Sequence, residues 1–247
     1  MTSTEPQFAT VAALLGDPAR ANILRALMDG RARTAKELAL IAGVTAQTAS
    51  GHLGKLMAAD LLSVLAQGRH RYYRLANSLV ACTIESLMAL AGERPLPRHR
   101  HNSALTGALR SARTCYDHLA GRLGVQIHDH LLHEGCLLPG HDGDGHDHDY
   151  EVSPSGHLLL AKLGIDVATV AKQRRGFARP CLDWSERVPH LAGGLGAAIA
   201  GRCFELGWIA RRADSRALRL TAAGATGLKA LFGIDAAQVM AEADGSR

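Results

Sequence analysis

The sequence predicts a mostly helical α+β protein: an N-terminal winged helix-turn-helix followed by a duplicated, winged-helix-like C-terminal region. Three observations predict it. Two short helical patterns joined by a glycine-containing turn precede a basic hairpin within the first ninety residues. The net charge of +5 is confined to the same part, since residues 1–100 carry 12 Lys/Arg against 7 Asp/Glu and residues 101–247 carry 16 against 16. The second half repeats its own order of features at an interval of about 70 residues.

The elements follow in order. Pro18 opens a helix with Ile23, Leu24 and Leu27 on one face, and Gly30 ends it. In "TAKELALIAG" Thr34 and Glu37 make a capping box and Gly43 closes the helix. Thr45 then caps "AQTASGHLGKLMAAD", whose Leu53, Leu56 and Met57 form the core stripe. Gln47, Thr48, Ser50, Gly51, His52 and Lys55 are left for the other faces. This helix has no acid between Thr45 and Ala59, which suits a surface lying against phosphates. "LLSVLAQGRHRYYRL" reads as two strands around Gln67-Gly68, with Arg69, His70 and Arg71 at or near the tip. A basic hairpin directly after a helix-turn-helix is a wing. The plainer reading is a helical core with a solvated hairpin; pattern, wing and charge agree better on double-stranded DNA.

"VTAQTASGHLGKLMAADLL" followed by "GRHRYYRL" resembles the recognition helix and wing of the ArsR/SmtB-type winged-helix repressors. The resemblance covers residues 8–91. It implies Thr45 as cap, Gln47, Thr48, Ser50, Gly51 and His52 as major-groove candidates, and Arg69, Arg71 and Tyr73 along phosphates or the minor groove. It also implies a homodimer through "NSLVACTIESLMALAG", with apolar Leu79, Val80, Ile84, Leu87 and Met88. Neither familiar metal site of that family carries over. The helix before the recognition helix has no cysteine, and the dimer helix offers only Cys82 and Glu85.

"ERPLPRHRHN" reads as a linker, so the predicted organisation is 1–92 for DNA binding and dimerisation, 93–103 as linker, and 104–240 as two repeats, about 115–166 and 181–235. "CYDHLAGRLG" matches "CLD" plus "HLAGGLG"; "YEVSPSGHLLLAKLGID" parallels "LRLTAAGATGLKALFGID". Each copy reads as helix, turn, strand, hairpin loop, strand and short helix. The "RTCYDHLAG" and "CLDW" segments resemble the C-terminal extension of some long ArsR-type regulators.

Two candidate metal or effector sites follow. Cys115 and His118, three apart on a predicted helix, recur as Cys181 and His190. Together they could hold zinc or another thiophilic metal, or form a reactive thiol pair; otherwise they are core. The run "HDGDGHDHD" puts His141, His146 and His148 at a hairpin tip whose counterpart, "ARRADSRA", is basic. A glycine-rich loop imposes no geometry, so this is a solvated tip or a weak accessory metal site.

The rest is exclusion. The five cysteines at 82, 115, 136, 181 and 203 show no CxxC and read as free thiols in a cytoplasmic chain without a secretory signal. No apolar run is long enough for a membrane helix. No P-loop, GxGxxG, GxSxG or HExxH motif points to an enzyme. The expected function is a sequence-specific DNA-binding regulator: a homodimeric repressor released by an unknown effector sensed in the C-terminal region. The alternative is a protein- or small-molecule-binding module with incidental DNA affinity.

Overall fold

The computed structural model describes residues 8–68, 70–91, 103–140, 149–213 and 215–240. Its contacts divide the chain into two compact units, Met1–Ile84 and Glu85–Arg247. The division falls inside a helix. Of the expected linker 93–103, all but Ser103 lies outside the described residues.

The first unit begins with α1 (Phe8–Leu15) and α2 (Pro18–Ala26). Asp17 caps α2 by accepting from the Arg20 N–H at 2.9 Å, and Pro18 stands where no N–H is needed. A 3-10 turn (Leu27–Asp29) ends at Gly30, whose φ of 74° gives the left-handed stop. Strand β1 (Arg33–Thr34) leads into α3 (Ala35–Ala42), where Thr34 and Glu37 form the expected capping box. Thr45 caps α4 (Ala46–Ala58). The wing is β2 (Leu62–Gln67) and β3 (His70–Leu75), paired antiparallel from Leu62↔Leu75 to Gln67↔His70. β1 adds to the outer side of β3, giving the order β1-β3-β2. Ile23, Leu24, Leu27, Met28, Leu38, Leu53, Leu56 and Leu75 are at most 2% exposed and form the core under the wing. Burying each such side chain stabilises the unit by roughly 1.5–3 kcal/mol before entropy is counted. Helix α5 (Ser78–Ala91) carries the chain from this unit into the next.

The second unit opens with α6 (Ser103–Ser111) and then runs through one order of elements twice. The first passage is β4 (Arg113–Cys115), β5 (His118–Ala120), α7 (Gly121–His133), β6 (Leu137–Leu138), β7 (Glu151–Val152), α8 (Pro154–Lys162) and α9 (Val167–Ala171). The second is β8 (Arg179–Leu182), β9 (Pro189–Ala192), α10 (Gly193–Glu205), β10 (Ile209–Arg211), β11 (Leu218–Leu220), α11 (Ala222–Phe232) and α12 (Ala236–Met240). The strands pair antiparallel two by two: β4 with β5, β6 with β7, β8 with β9 and β10 with β11. Ser153 and Thr221 cap α8 and α11 by accepting from the N–H of Gly156 and Gly224, the Ser/Thr-x-x-Gly spacing of the sequence. Leu123, Ile127, Leu131, Leu160, Leu195, Ile199, Leu228 and Phe232 share one core.

One expectation is corrected. Cys115 and His118 do not lie on a helix; they face each other across the β4–β5 hairpin, and helix α7 starts only at Gly121. Tertiary hydrogen bonds decide this. Besides pairing with β5, β4 donates from Thr114 N–H to the Arg216 carbonyl at 2.9 Å, and Leu218 N–H donates to the Ala112 carbonyl at 2.8 Å. A helix across 115–124 would forfeit the β4–β5 pairs, and the two bonds to residues 216–218 hold the extended strand that makes them. Tyr116 makes the tight turn at φ 62°, a conformation that costs a non-glycine residue energy.

Candidate functional site

Two candidate sites carry chemistry, an exposed one in the first unit and a buried one in the second. In the first, α4 presents Gln47, Thr48, Ser50, Gly51 and Lys55 to solvent with Thr45 at its head, and no acid lies on the helix. Thr45 Oγ1 accepts from Thr48 N–H at 3.2 Å, and Ser50 Oγ donates to the Ala46 carbonyl at 2.9 Å. Gly51 has nothing within 4 Å of where a Cβ would sit, so no packing inside the chain requires glycine there. Two grouped residues are placed differently. His52 is partly buried, its Nδ1 3.4 Å from Arg20 Nη1, and Arg20 in turn donates to the Leu14 and Ala13 carbonyls. Tyr73 is 9% exposed, held in the sheet between β1 and β2, whereas Arg71 and Arg74 of the same strand are exposed. Arg74, the next residue, faces the opposite side from Tyr73, whereas Arg71 shares Tyr73's face but lies nearer the exposed hairpin tip. Arg69 lies outside the described residues.

In the second unit Cys115, His118, Cys181 and His190 come together, with their ligand atoms all within 4.8 Å of one another. The hairpins explain how. Cys115 pairs with His118 across β4–β5, and Cys181 pairs with His190 across β8–β9, so each hairpin contributes one thiol and one imidazole. The two Nε2 atoms face each other at 3.2 Å. Two bonds of ~2.0–2.1 Å at a tetrahedral zinc would separate such nitrogens by about 3.3 Å. All four side chains are at most 3% exposed, which leaves no open position for a reacting water.

Each imidazole is backed by a carboxylate two residues after its own hairpin's cysteine. His118 Nδ1 lies 3.2 Å from Asp117 Oδ1, and His190 Nδ1 lies 3.1 Å from Asp183 Oδ2. A carboxylate behind the far nitrogen is what turns Nε2 outward as a ligand. Arg175 Nη1 donates to Asp117 Oδ2 at 2.7 Å, and Arg113 Nη2 lies 2.9 Å from Asp183 Oδ1. The hydrogen bond with Cys181, opposed by burial and aided by His118 and His190, holds the Cys115 thiol well below its ordinary value. Against the desolvation that would lower it, Cys115 and Asp117 raise His118 to about 10. The cluster thus favours thiolate beside imidazolium, the charge pattern a divalent cation would replace.

Glycines let the hairpins meet. A Cβ on Gly124 would stand 2.4 Å from the Leu119 carbonyl and 3.5 Å from His190 Cβ; one on Gly196 would stand 2.3 Å from the Leu191 carbonyl and 3.3 Å from His118 Cβ. Each helix thereby admits the other hairpin's histidine. A small apolar cavity beneath is lined by Leu119, Gly124 and Ile127 with Leu191, Gly196 and Ile199, the same three positions from each passage. Gly196→Ala is therefore expected to destabilise the second unit by about 1–3 kcal/mol through overpacking. Thermal unfolding would show the loss.

The remaining thiols and imidazoles are core or surface. Burial pushes the Cys203 thiol up to about 12 and raises that of Cys136, so both stay protonated. His128 is buried against the Tyr150 hydroxyl at 2.9 Å, and His133 is exposed. His141, His146 and His148 lie outside the described residues. Asp117, Asp183 and Arg113 join the four candidate ligands as residues of the site. The Cys-x-Asp spacing shared by "CYD" and "CLD" was the signal for the two acids.

Residues 15–64, the span from α1's end to the first wing strand, match the model of a helix-turn-helix domain. Over 219 residues the chain is 46% identical to an uncharacterised HTH-type transcriptional regulator of Bacillus subtilis strain 168, YdfF, covering 89% of this chain and 94% of that one. The chain belongs to the HTH-type transcriptional regulators. This HTH-type regulator is also similar to the homodimeric winged helix-turn-helix DNA-binding domain of Mb0332 from Mycobacterium bovis, a possible ArsR-family regulator. There the identity is 27%, over 41% of this chain and 100% of that one, with a TM-score of 0.34. The cadmium metal-sensor CMTR of Mycobacterium tuberculosis is 31% identical over 38% of this chain and 100% of that one, with a TM-score of 0.30. No helix among the regulator's described residues is long and apolar enough to cross a membrane.

Proposed function

We propose that this HTH-type regulator is a homodimeric repressor of the ArsR/SmtB type whose DNA binding is released by a thiophilic metal, zinc foremost, held by Cys115, His118, Cys181 and His190. One observation carries the reading: two thiols and two carboxylate-backed imidazoles converge in a site sealed from solvent. Such a closed Cys₂His₂ set suits a structural or sensory ion, not a catalytic one. The repeated order of elements supports reading the second unit as an internal duplication in which each copy supplies half the ligands. Exposed Leu79, Leu87 and Leu90 on α5, with exposed Phe8 and Val11 on α1, supply apolar surface for a second copy of the chain. Native mass spectrometry of the chain purified with zinc tests the reading. One ion per chain in a dimer supports it; a metal-free protein under excess zinc removes it.

On the DNA side, Thr45, Gln47, Thr48, Ser50, Gly51 and Lys55 would meet the major groove, and Arg69, Arg71 and Arg74 the phosphates along the wing. Gly51 gives a separable prediction. Gly51→Ala should stabilise the exposed helix by about 0.5–1 kcal/mol. The added methyl should nonetheless weaken operator binding, because it stands where DNA must approach closely. Thermal unfolding and fluorescence anisotropy on a promoter duplex read the two effects independently.

A further inference from the structure

We infer that a buried chain of charged groups, His190–Asp183–Arg113–Glu85, transmits the loading of the Cys₂His₂ centre to helix α5. The inference rests on the metal reading above and names the regulatory route out of that site.

Asp183 is the first link. Its Oδ2 lies 3.1 Å from His190 Nδ1, yet that nitrogen lacks the alignment of a hydrogen bond and has no other partner. Arg113 is the second. Its Nη2 lies 2.9 Å from Asp183 Oδ1, and the same nitrogen donates to Glu85 Oε1. Glu85 is the third, and its other oxygen accepts from Arg216 Nη1 at 3.2 Å. Arg216 also reaches Met88 Sδ at 3.7 Å, so α5 is gripped at two positions. His190, Asp183, Arg113 and Glu85 are all 0% exposed. No water can screen a shift in this row, and two acids are balanced by two arginines, so a change at one link must be answered at the next.

The ligands drive such a change. Arg113 stands on β4 two residues before Cys115, and Asp183 follows Cys181 by two. Ligand atoms now spread over as much as 4.8 Å would close to roughly 3.3–3.8 Å around a tetrahedral zinc. Closure moves β4 and the β8–β9 hairpin together and turns His190 Nδ1–H onto Asp183. One nitrogen of Arg113 serves both carboxylates, so tightening Asp183 onto His190 redistributes that nitrogen toward Glu85. Glu85 is the first residue of the second unit, on the helix that continues directly from the winged unit. A buried ionic row is costly compared with an apolar helix face, and a switch is the best-attested reason to keep one.

The test uses the full-length chain, zinc, and a duplex from its own promoter. Glu85→Gln and Arg216→Lys keep the ligands, the groups behind them and the approximate shape but weaken the row where it meets α5. Both should bind zinc within a few-fold of the unaltered protein and bind DNA normally without metal. Zinc-driven release should nevertheless fall from a coupling of about 5–150-fold to near none. Release at the unaltered level in both variants, with zinc bound, overturns the route and leaves the metal site standing. An unaltered protein that takes up no zinc overturns both. Should the variants fail to fold, hydrogen exchange on the unaltered protein decides: zinc should change exchange at residues 85–91 by about five-fold or more. Identical exchange with and without bound zinc rejects the route.

Discussion

Cys181→Ala is expected to abolish tight zinc binding while leaving operator binding by the metal-free protein unchanged. In the proposed site the thiol is one of four donors sealed from solvent, so its loss would leave three ligands and no water path to complete the shell. Changes to groups merely behind metal ligands cost about 10–100-fold in affinity, and removing a donor should cost more. The variant should therefore stay on DNA at zinc concentrations that release the unaltered protein. The alanine trims one small buried side chain, at about 1–3 kcal/mol, so the second unit should remain folded at moderate temperature. Chelator competition gives the affinity, and anisotropy on labelled DNA gives the response. Normal release in both Cys181→Ala and Cys115→Ala would return these cysteines to the role of core residues.

The largest loss of stability should come from Asp183→Ala. Asp183 is fully buried and accepts from Gly121 N–H at 2.7 Å, Ser185 N–H at 2.9 Å, Ser185 Oγ at 2.8 Å and Glu186 N–H at 3.2 Å, with Arg113 2.9 Å away. Alanine would orphan these donors and strand one buried cation, a change that costs about 3–5 kcal/mol. At about 2–4 °C per kcal/mol the second unit's transition should fall by roughly 6–20 °C. Asp183→Asn keeps an acceptor for Gly121 and should lose distinctly less. Equal, small losses in both would show that the network is not what holds the two hairpins. Calorimetry of the full chain, with the winged unit's transition as internal reference, makes the comparison.

The winged unit was legible because its signals are local. Caps at Thr34 and Thr45, stops at Gly30 and Gly43, and the leucine stripe of α4 each act within a turn or two of chain, and the structure returns them in place. His52 and Tyr73 escaped because their placement depends on partners far along the chain: Arg20 for the first, the strands flanking β3 for the second. In the second unit the repeated Cys and His were visible, but not the element bearing them. Spacing alone allowed a helix, whereas the backbone bonds from β4 to residues 216–218 impose a hairpin. Glu85 was named only as a residue of the dimer helix. A lone acid in the apolar run "LVACTIESLMALA" was the available hint, and its partners Arg113 and Arg216 lie where no periodicity could point.

The account stands on metal in the second unit controlling DNA binding by the first. Titrating zinc into the metal-free dimer on a labelled promoter duplex at fixed physiological salt tests this most directly. The account predicts release that saturates at one zinc per chain. Zinc bound at that stoichiometry with the DNA affinity unmoved would contradict it.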